Sequence, residues 1–112
     1  MATSKKTPVK EATKHDASKA TLGLIPQSAL IQEALVMAYG ENKYGRDNWR
    51  GGMAWSRLID AALRHTLAFN AGETFDKETG IHHLAHARCN LAFLIEYMTT
   101  HPELDDRYVK QT

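Results

Sequence analysis

"IHHLAHARCNLAFLIEYMTT", residues 81–100, decides how the rest of the chain is read. Leu84, Ala87, Leu91, Leu94 and Met98 recur every three or four residues and trace one stripe of a helix. A neighbouring stripe, His83, His86, Asn90, Phe93 and Tyr97, is polar at its start and apolar at its end. A helix that is greasy on more than one side buries several faces. Pro102 limits it, and "ELDDRYVKQT" has room for one short further turn.

Working outward, "NAGETFDKETG" (70–80) breaks the helical pattern and reads as a loop. Before it a second helix starts near Ala54, with Trp55, Leu58, Ile59, Ala62, Thr66 and Phe69 as its inward stripe and Asp60–Arg64 as a surface pair. "RDNWRGG" (46–52) is turn-forming. The first helix is opened by Pro26 and carries Leu30, Ile31, Ala34, Leu35, Met37 and Ala38 at helical spacing. It fades in "YGENKYG", where Gly40 and Gly45 are stop or turn residues, and "TLGLIPQ" (21–27) is an extended lead-in. No segment alternates as a strand does, and no internal repeat is visible. The expected fold is all-α: a bundle of three main helices over residues 21–100, between a flexible basic tail (1–20) and a C-terminal tail (101–112) with a short helix. So much apolar helix surface predicts completion by oligomerisation.

The 112 residues suffice for one domain. A single cysteine, Cys89, rules out an internal disulfide framework and fits a reducing, cytoplasmic setting. No run is long and apolar enough to span a bilayer, so no membrane partner is expected. The net charge of +1 conceals an asymmetry, because the first twenty residues carry +3 and the remainder −2. A net-acidic body is a poor footprint for duplex DNA, and no specific nucleic-acid partner is expected.

The ionisable groups concentrate at the start of the third helix. Glu73 and Asp76 are three apart, so one turn or a tight loop aims both carboxylates the same way, which suits Mg²⁺ or Mn²⁺. Glu78 is placed to act as a third ligand or as the base for a metal-bound water. The bland reading is that these acids only complement the positive end of the helix. His82 or His83 can share a helix face with His86, where they bind a metal or contact phosphate. His65 sits on the inward face of the second helix, close in sequence to the acidic loop. Lys43, Arg57 and Arg64 are phosphate-binding candidates, the two arginines seven apart along one helix side. Asn48 and Trp49 could read and stack on a nucleobase, or Trp49 could plug the bundle end. Cys89 has no evident base and is not read as a nucleophile. P-loop, Rossmann and nucleophile-elbow patterns are absent.

Taken in order, "GLIP", "KYGRDNW", "SRLIDAALRH" and "GETFDKETGIHHLAHARCNLAFLIEY" resemble the phage-associated dATP/dGTP diphosphohydrolase-domain proteins, a small all-helical family compared with MazG-like nucleotide pyrophosphohydrolases. The resemblance covers about residues 22–98. It implies a helical oligomer that splits purine deoxynucleoside triphosphates into monophosphate and pyrophosphate. Lys43, Tyr44, Gly45, Asn48 and Trp49 fall on the first motif, and Arg57, Arg64 and His65 on the second. Glu73, Asp76, Glu78, Gly80, His83 and His86 fall on the third, and His82 where the family varies. The chain departs from MazG-type enzymes in its first helix, which offers only Glu33 in place of a doubled acidic motif.

The resulting expectation is a metal-dependent diphosphohydrolase of a phage or its host. Glu73 and Asp76 hold Mg²⁺ or Mn²⁺, and Glu78, His65 and Arg64 are catalytic. Lys43, Tyr44, Asn48, Trp49, Arg57, Arg64, His83 and His86 bind the nucleotide. The alternative is a non-catalytic phage protein that sequesters a nucleotide signal of host antiviral defence. A third reading is a helical assembly factor whose polar cluster is a buried hydrogen-bond network.

Overall fold

Pro26 supplies the carbonyl that accepts the Ala29 and Leu30 N–H groups, and the first helix, α1 (Gln27–Tyr44), winds from there. The structure, a computed structural model, describes residues 11–109; the parts of the two tails at 1–10 and 110–112 lie outside the described residues. "TLGLIPQ" is extended only in part, since Leu22–Leu24 form a 3₁₀ turn before Ile25 and Pro26 straighten. α1 also runs on through Gly40 and stops at Gly45. An interior glycine costs a helix only about 1 kcal/mol relative to alanine, which the turns on either side of Gly40 can absorb.

The other long elements are α2 (Trp55–Asn70) and α3 (His83–Thr100), and α3 packs along α2 and more briefly against α1. Among the described residues there is no strand, only an isolated antiparallel bridge between Phe75 and His82. The architecture is all-α, as expected. No helix of the described residues is long and apolar enough to cross a membrane.

The core sits towards one end of the α2–α3 pair. Trp55 and Leu58 meet Tyr97, with Trp49, Met53, Phe93, Leu94 and Leu104 packed around them. Tyr97 is fully buried, and its hydroxyl donates to the Trp49 carbonyl, which ties the loop before α2 to α3. After α3 the chain turns through a 3₁₀ segment, Pro102–Leu104, and folds back over the same loop. There the Trp55 indole N–H donates to the His101 carbonyl at 3.1 Å, and His101 Nε2 donates to the Arg50 carbonyl at 2.8 Å. Asp106 accepts from both the N–H and the hydroxyl of Ser56, satisfying an otherwise orphan donor in the first turn of α2. Gly52 is needed at this crossing. Its φ is +96°, and a Cβ would stand 2.7 Å from Leu104 Cδ1 and 3.1 Å from the His101 ring.

Two expectations about faces are corrected. The α2 stripe is buried at Trp55, Leu58 and Ala62, but Thr66 and Phe69 are exposed, since the contact with α3 near that end of α2 is made by His65. Asp60 and Arg64 are both exposed and form no ion pair among the described residues. On α3 the mixed stripe goes inward at His83, His86 and Tyr97, while the more apolar stripe is split: Ala87 is buried and Leu94 packs on the core, but Leu84, Leu91 and Met98 are exposed. α1 has no fully buried residue. It is held by the Arg88–Glu33 ion pair at 3.1 Å and by Cys89, whose sulfur lies 3.4 Å from that of Met37.

Candidate active site

The site is assembled by a short hairpin that follows α2. Asp76 N–H donates to the Ile81 carbonyl at 2.8 Å and His83 N–H to the Thr74 carbonyl at 3.0 Å, folding the acidic loop back onto the first turn of α3. Gly80, at φ +73°, closes the turn and donates its N–H to the Asp76 carbonyl at 2.8 Å. The Asp76 side chain completes the loop. Its Oδ1 accepts the N–H groups of Glu78 and Thr79 at 2.9 and 3.0 Å, which leaves Oδ2 free to face the helices.

Oδ2 faces two histidines, at 3.9 Å from His65 Nδ1 and 4.0 Å from His83 Nδ1. Those two nitrogens are 2.8 Å apart. On its other side His83 gives Nε2 to Glu73 Oε1 at 2.6 Å. Glu73 and Asp76 therefore do not aim at a common point, because the His83 ring stands between them. The third histidine, His86, stacks on His65 with ring centroids 4.6 Å apart and bonds Thr79 Oγ1 through Nε2 at 2.7 Å. His82 is not part of the cluster and packs on Phe75.

The protonation states follow from these surroundings. Burial holds His65 below the usual imidazole range, reinforced by the neighbouring His86 and His83 and opposed by Asp76. Burial also pulls His86 down against the charges of Asp76 and Glu78. Both rings are neutral at physiological pH. Burial pushes the Asp76 carboxyl up, but the Thr79 and Glu78 N–H groups and the nearby His86 and His65 outweigh it and keep it below the ordinary carboxylate range. The His83 bond does the same for Glu73. The Cys89 thiol is pushed by burial up to about 12, which removes it from nucleophilic chemistry.

This cluster forms part of the wall of a cavity of about 540 Å³, a size suited to a small-molecule ligand. Of the residues picked out in the sequence, Lys43, Tyr44, Asn48, Trp49, Arg57, His65, Asp76, Glu78 and His86 line it. Glu73 and His83 stand behind that wall. Arg64 does not line the cavity and is exposed. Glu78 reaches across the opening to Lys43 at 3.3 Å. Trp49 is already engaged, its ring stacked on Phe93 at 4.4 Å with the Arg50 guanidinium 4.4 Å from its centroid. Tyr39, Arg46 and Thr79 also line the cavity, as do Asn90 and Phe93, which the sequence places on the histidine stripe but does not mark as site residues. The available signal was helical register: Asn90 and Phe93 continue the His83–His86 stripe, and Tyr39 lies one turn before Lys43.

Residues 9–107 match the family model described as dATP/dGTP diphosphohydrolase, N-terminal. The chain belongs to this family. A dATP/dGTP diphosphohydrolase of Salmonella phage PMBT28 is 44% identical over 94 residues, covering 84% of this chain and 32% of the phage protein. The chain thus spans about a third of the length of the curated relative it matches. No solved structure matches. Three of the four quoted motifs contribute to the cavity wall, from the end of α1 and the loop before α2, from α2, and from the hairpin with α3; "GLIP" does not.

Proposed function

We propose that the cavity binds a purine deoxynucleoside triphosphate and hydrolyses it to monophosphate and pyrophosphate with the help of a divalent ion, Mg²⁺ or Mn²⁺. The observation that carries this reading is a single cavity lined by an acid–histidine cluster, cationic side chains and aromatic rings. His86 and Phe93 are seven residues apart on α3, so about 10 Å of helix separates the cluster from the aromatic end. That spacing suits a ligand with phosphate at one end and a base at the other. The activity for which the phage relative is named supports the same substrate class.

Each residue then has a task. Tyr44, Tyr39 and Asn48 meet the base, and Trp49 stiffens that end through its stack on Phe93. Lys43 near the hairpin spreads positive charge over the phosphates, and Arg57 in the first turn of α2, about 12 Å of helix before His65, reaches the phosphate nearest the base. Glu78 sits at the opening, free to take a proton from an attacking water once phosphate draws Lys43 away. A bound divalent ion would neutralise phosphate charge and acidify water.

Incubation with dGTP or dATP and Mg²⁺ or Mn²⁺, followed by assay of pyrophosphate, tests the proposal. Release that EDTA abolishes is the expected result. Nucleotide binding that ignores chelator and yields no product would instead identify a sequestering protein.

A further inference from the structure

We propose that His65 Nδ1, His83 Nδ1 and Asp76 Oδ2 form a three-ligand centre for one divalent transition-metal ion of the Mn²⁺, Co²⁺ or Zn²⁺ kind, with Glu73 as its positioning residue. The assignment sharpens the metal part of the hydrolase reading, but it rests on donor geometry alone and holds whether or not the protein turns a nucleotide over.

The three donor atoms form a triangle with sides of 2.8, 3.9 and 4.0 Å. The point equidistant from its corners lies about 2.1 Å from each, within the range of Zn–N and Zn–O bonds. Ordinary hydrogen bonding accounts for only part of this arrangement. His65 and His83 can share one proton between facing nitrogens, yet Asp76 Oδ2 is then too far from both to bond either one. A central cation accounts for all three atoms at once.

The surroundings support the same assignment. Asp76 Oδ1 is committed to two loop N–H groups, so the carboxylate cannot rotate Oδ2 away without losing both. Glu73 accepts from His83 Nε2 at 2.6 Å, and a proton held there leaves the His83 Nδ1 lone pair pointing at the centre. This carboxylate–histidine relay is the usual support of a metal-bound imidazole. His65 and Asp76 both line the cavity, so the remaining coordination positions would open towards it. Two nitrogens and one oxygen suit a borderline ion better than Mg²⁺, which demands oxygen and near-octahedral order.

The test uses the untagged full chain titrated with CoCl₂ in an optical cell and with MnCl₂ and ZnCl₂ by calorimetry. Expected are one Co²⁺ per chain with an intense visible ligand-field band, loss of that band when Zn²⁺ is added, and no comparable heat from MgCl₂. His65→Asn, with helicity checked by circular dichroism, should abolish the band. Glu73→Gln should keep the band but weaken binding by roughly 10- to 100-fold. A wild-type spectrum no different from aqueous Co²⁺ overturns the inference and needs no variant to do so. So does undiminished affinity in a folded His65→Asn protein. Metal binding without pyrophosphate release supports this centre while removing the hydrolase reading; Mg²⁺-driven release without Co²⁺ or Zn²⁺ binding does the reverse.

Discussion

The two long faces of α3 are not buried in the order of their hydropathy. The face that begins with His83 and His86 is buried, with Tyr97 wholly enclosed at its far end. On the neighbouring face Ala87 is buried and Leu94 packs on the core, but Leu84, Leu91 and Met98, with Ile95 beside them, are 40 to 71% exposed. Burial here follows from what each face can satisfy. The histidines have Glu73, Thr79 and each other as partners, so enclosing them leaves no buried polar atom unpaired among the described residues. The apolar face needs no partner bonds and can stay in water at a cost that remains open to cover by another surface.

Breaking the buried face should have the largest effect. Tyr97→Ala removes a fully enclosed ring and its bond to the Trp49 carbonyl, and is expected to cost roughly 3–5 kcal/mol in urea denaturation. Tyr97→Phe, which loses only the hydrogen bond, should cost about 1–2 kcal/mol. Near-equal losses for the two would show that the ring is not tightly packed.

The same contrast on α2 sets Arg57 against Arg64. Both are exposed, but Arg57 lines the cavity, with no acidic partner among the described residues, and Arg64 does not. If a phosphate meets Arg57, Arg57→Ala should lower kcat/KM for dGTP by about 10- to 100-fold, the worth of one charge-assisted bond. Arg64→Ala should stay within about twofold. The reverse order would move the phosphate site to the outer side of α2.

Acid should separate the two faces further. His65 and His86 have folded pKa values below the ordinary imidazole value, so the unfolded chain binds more protons once the pH falls below about 6.5. Stability is fully present above that point and is lost as pH drops towards the folded values. A melting temperature several degrees lower at about pH 5.5 than at about pH 7.5 is expected. In His65→Asn that difference should shrink, and an unchanged slope would clear His65 of the effect.

Changes on the exposed face should be smallest. The double variant Ile95→Lys with Met98→Lys should alter the stability of the isolated chain by less than about 0.5 kcal/mol, since both side chains stand mostly in water. Self-association, expected from the apolar surface, would make this the face to test. Sedimentation equilibrium should then show wild type heavier than a monomer and the double variant shifted towards one. Identical masses would assign Ile95 and Met98 no role in assembly.

Much of the plan was legible one residue at a time. The three helices, the loops between them and the grouping of acids with histidines around residues 73–86 follow from local spacing and turn chemistry, which neighbours in sequence largely control. The passage of α1 through Gly40 was not legible, because an unfavourable residue is outvoted by the turns on either side. Nor was the separation of Arg57 from Arg64, since seven residues set them only about 20° apart around the helix, and which of them meets the cavity depends on the elements packed beside each.

By itself the sequence determined that this chain is helical, where its polar groups cluster and which family it joins. Only tertiary structure decided that Glu73 and Asp76 serve opposite sides of one imidazole, and that the histidine face of α3 is the inner one. The physical reason is the same for both: hydropathy ranks a side chain by its cost of leaving water, whereas the fold ranks it by the partners that repay that cost. For His83 those partners come from residues 10 positions before it and 18 positions before it. No local window of sequence contains both.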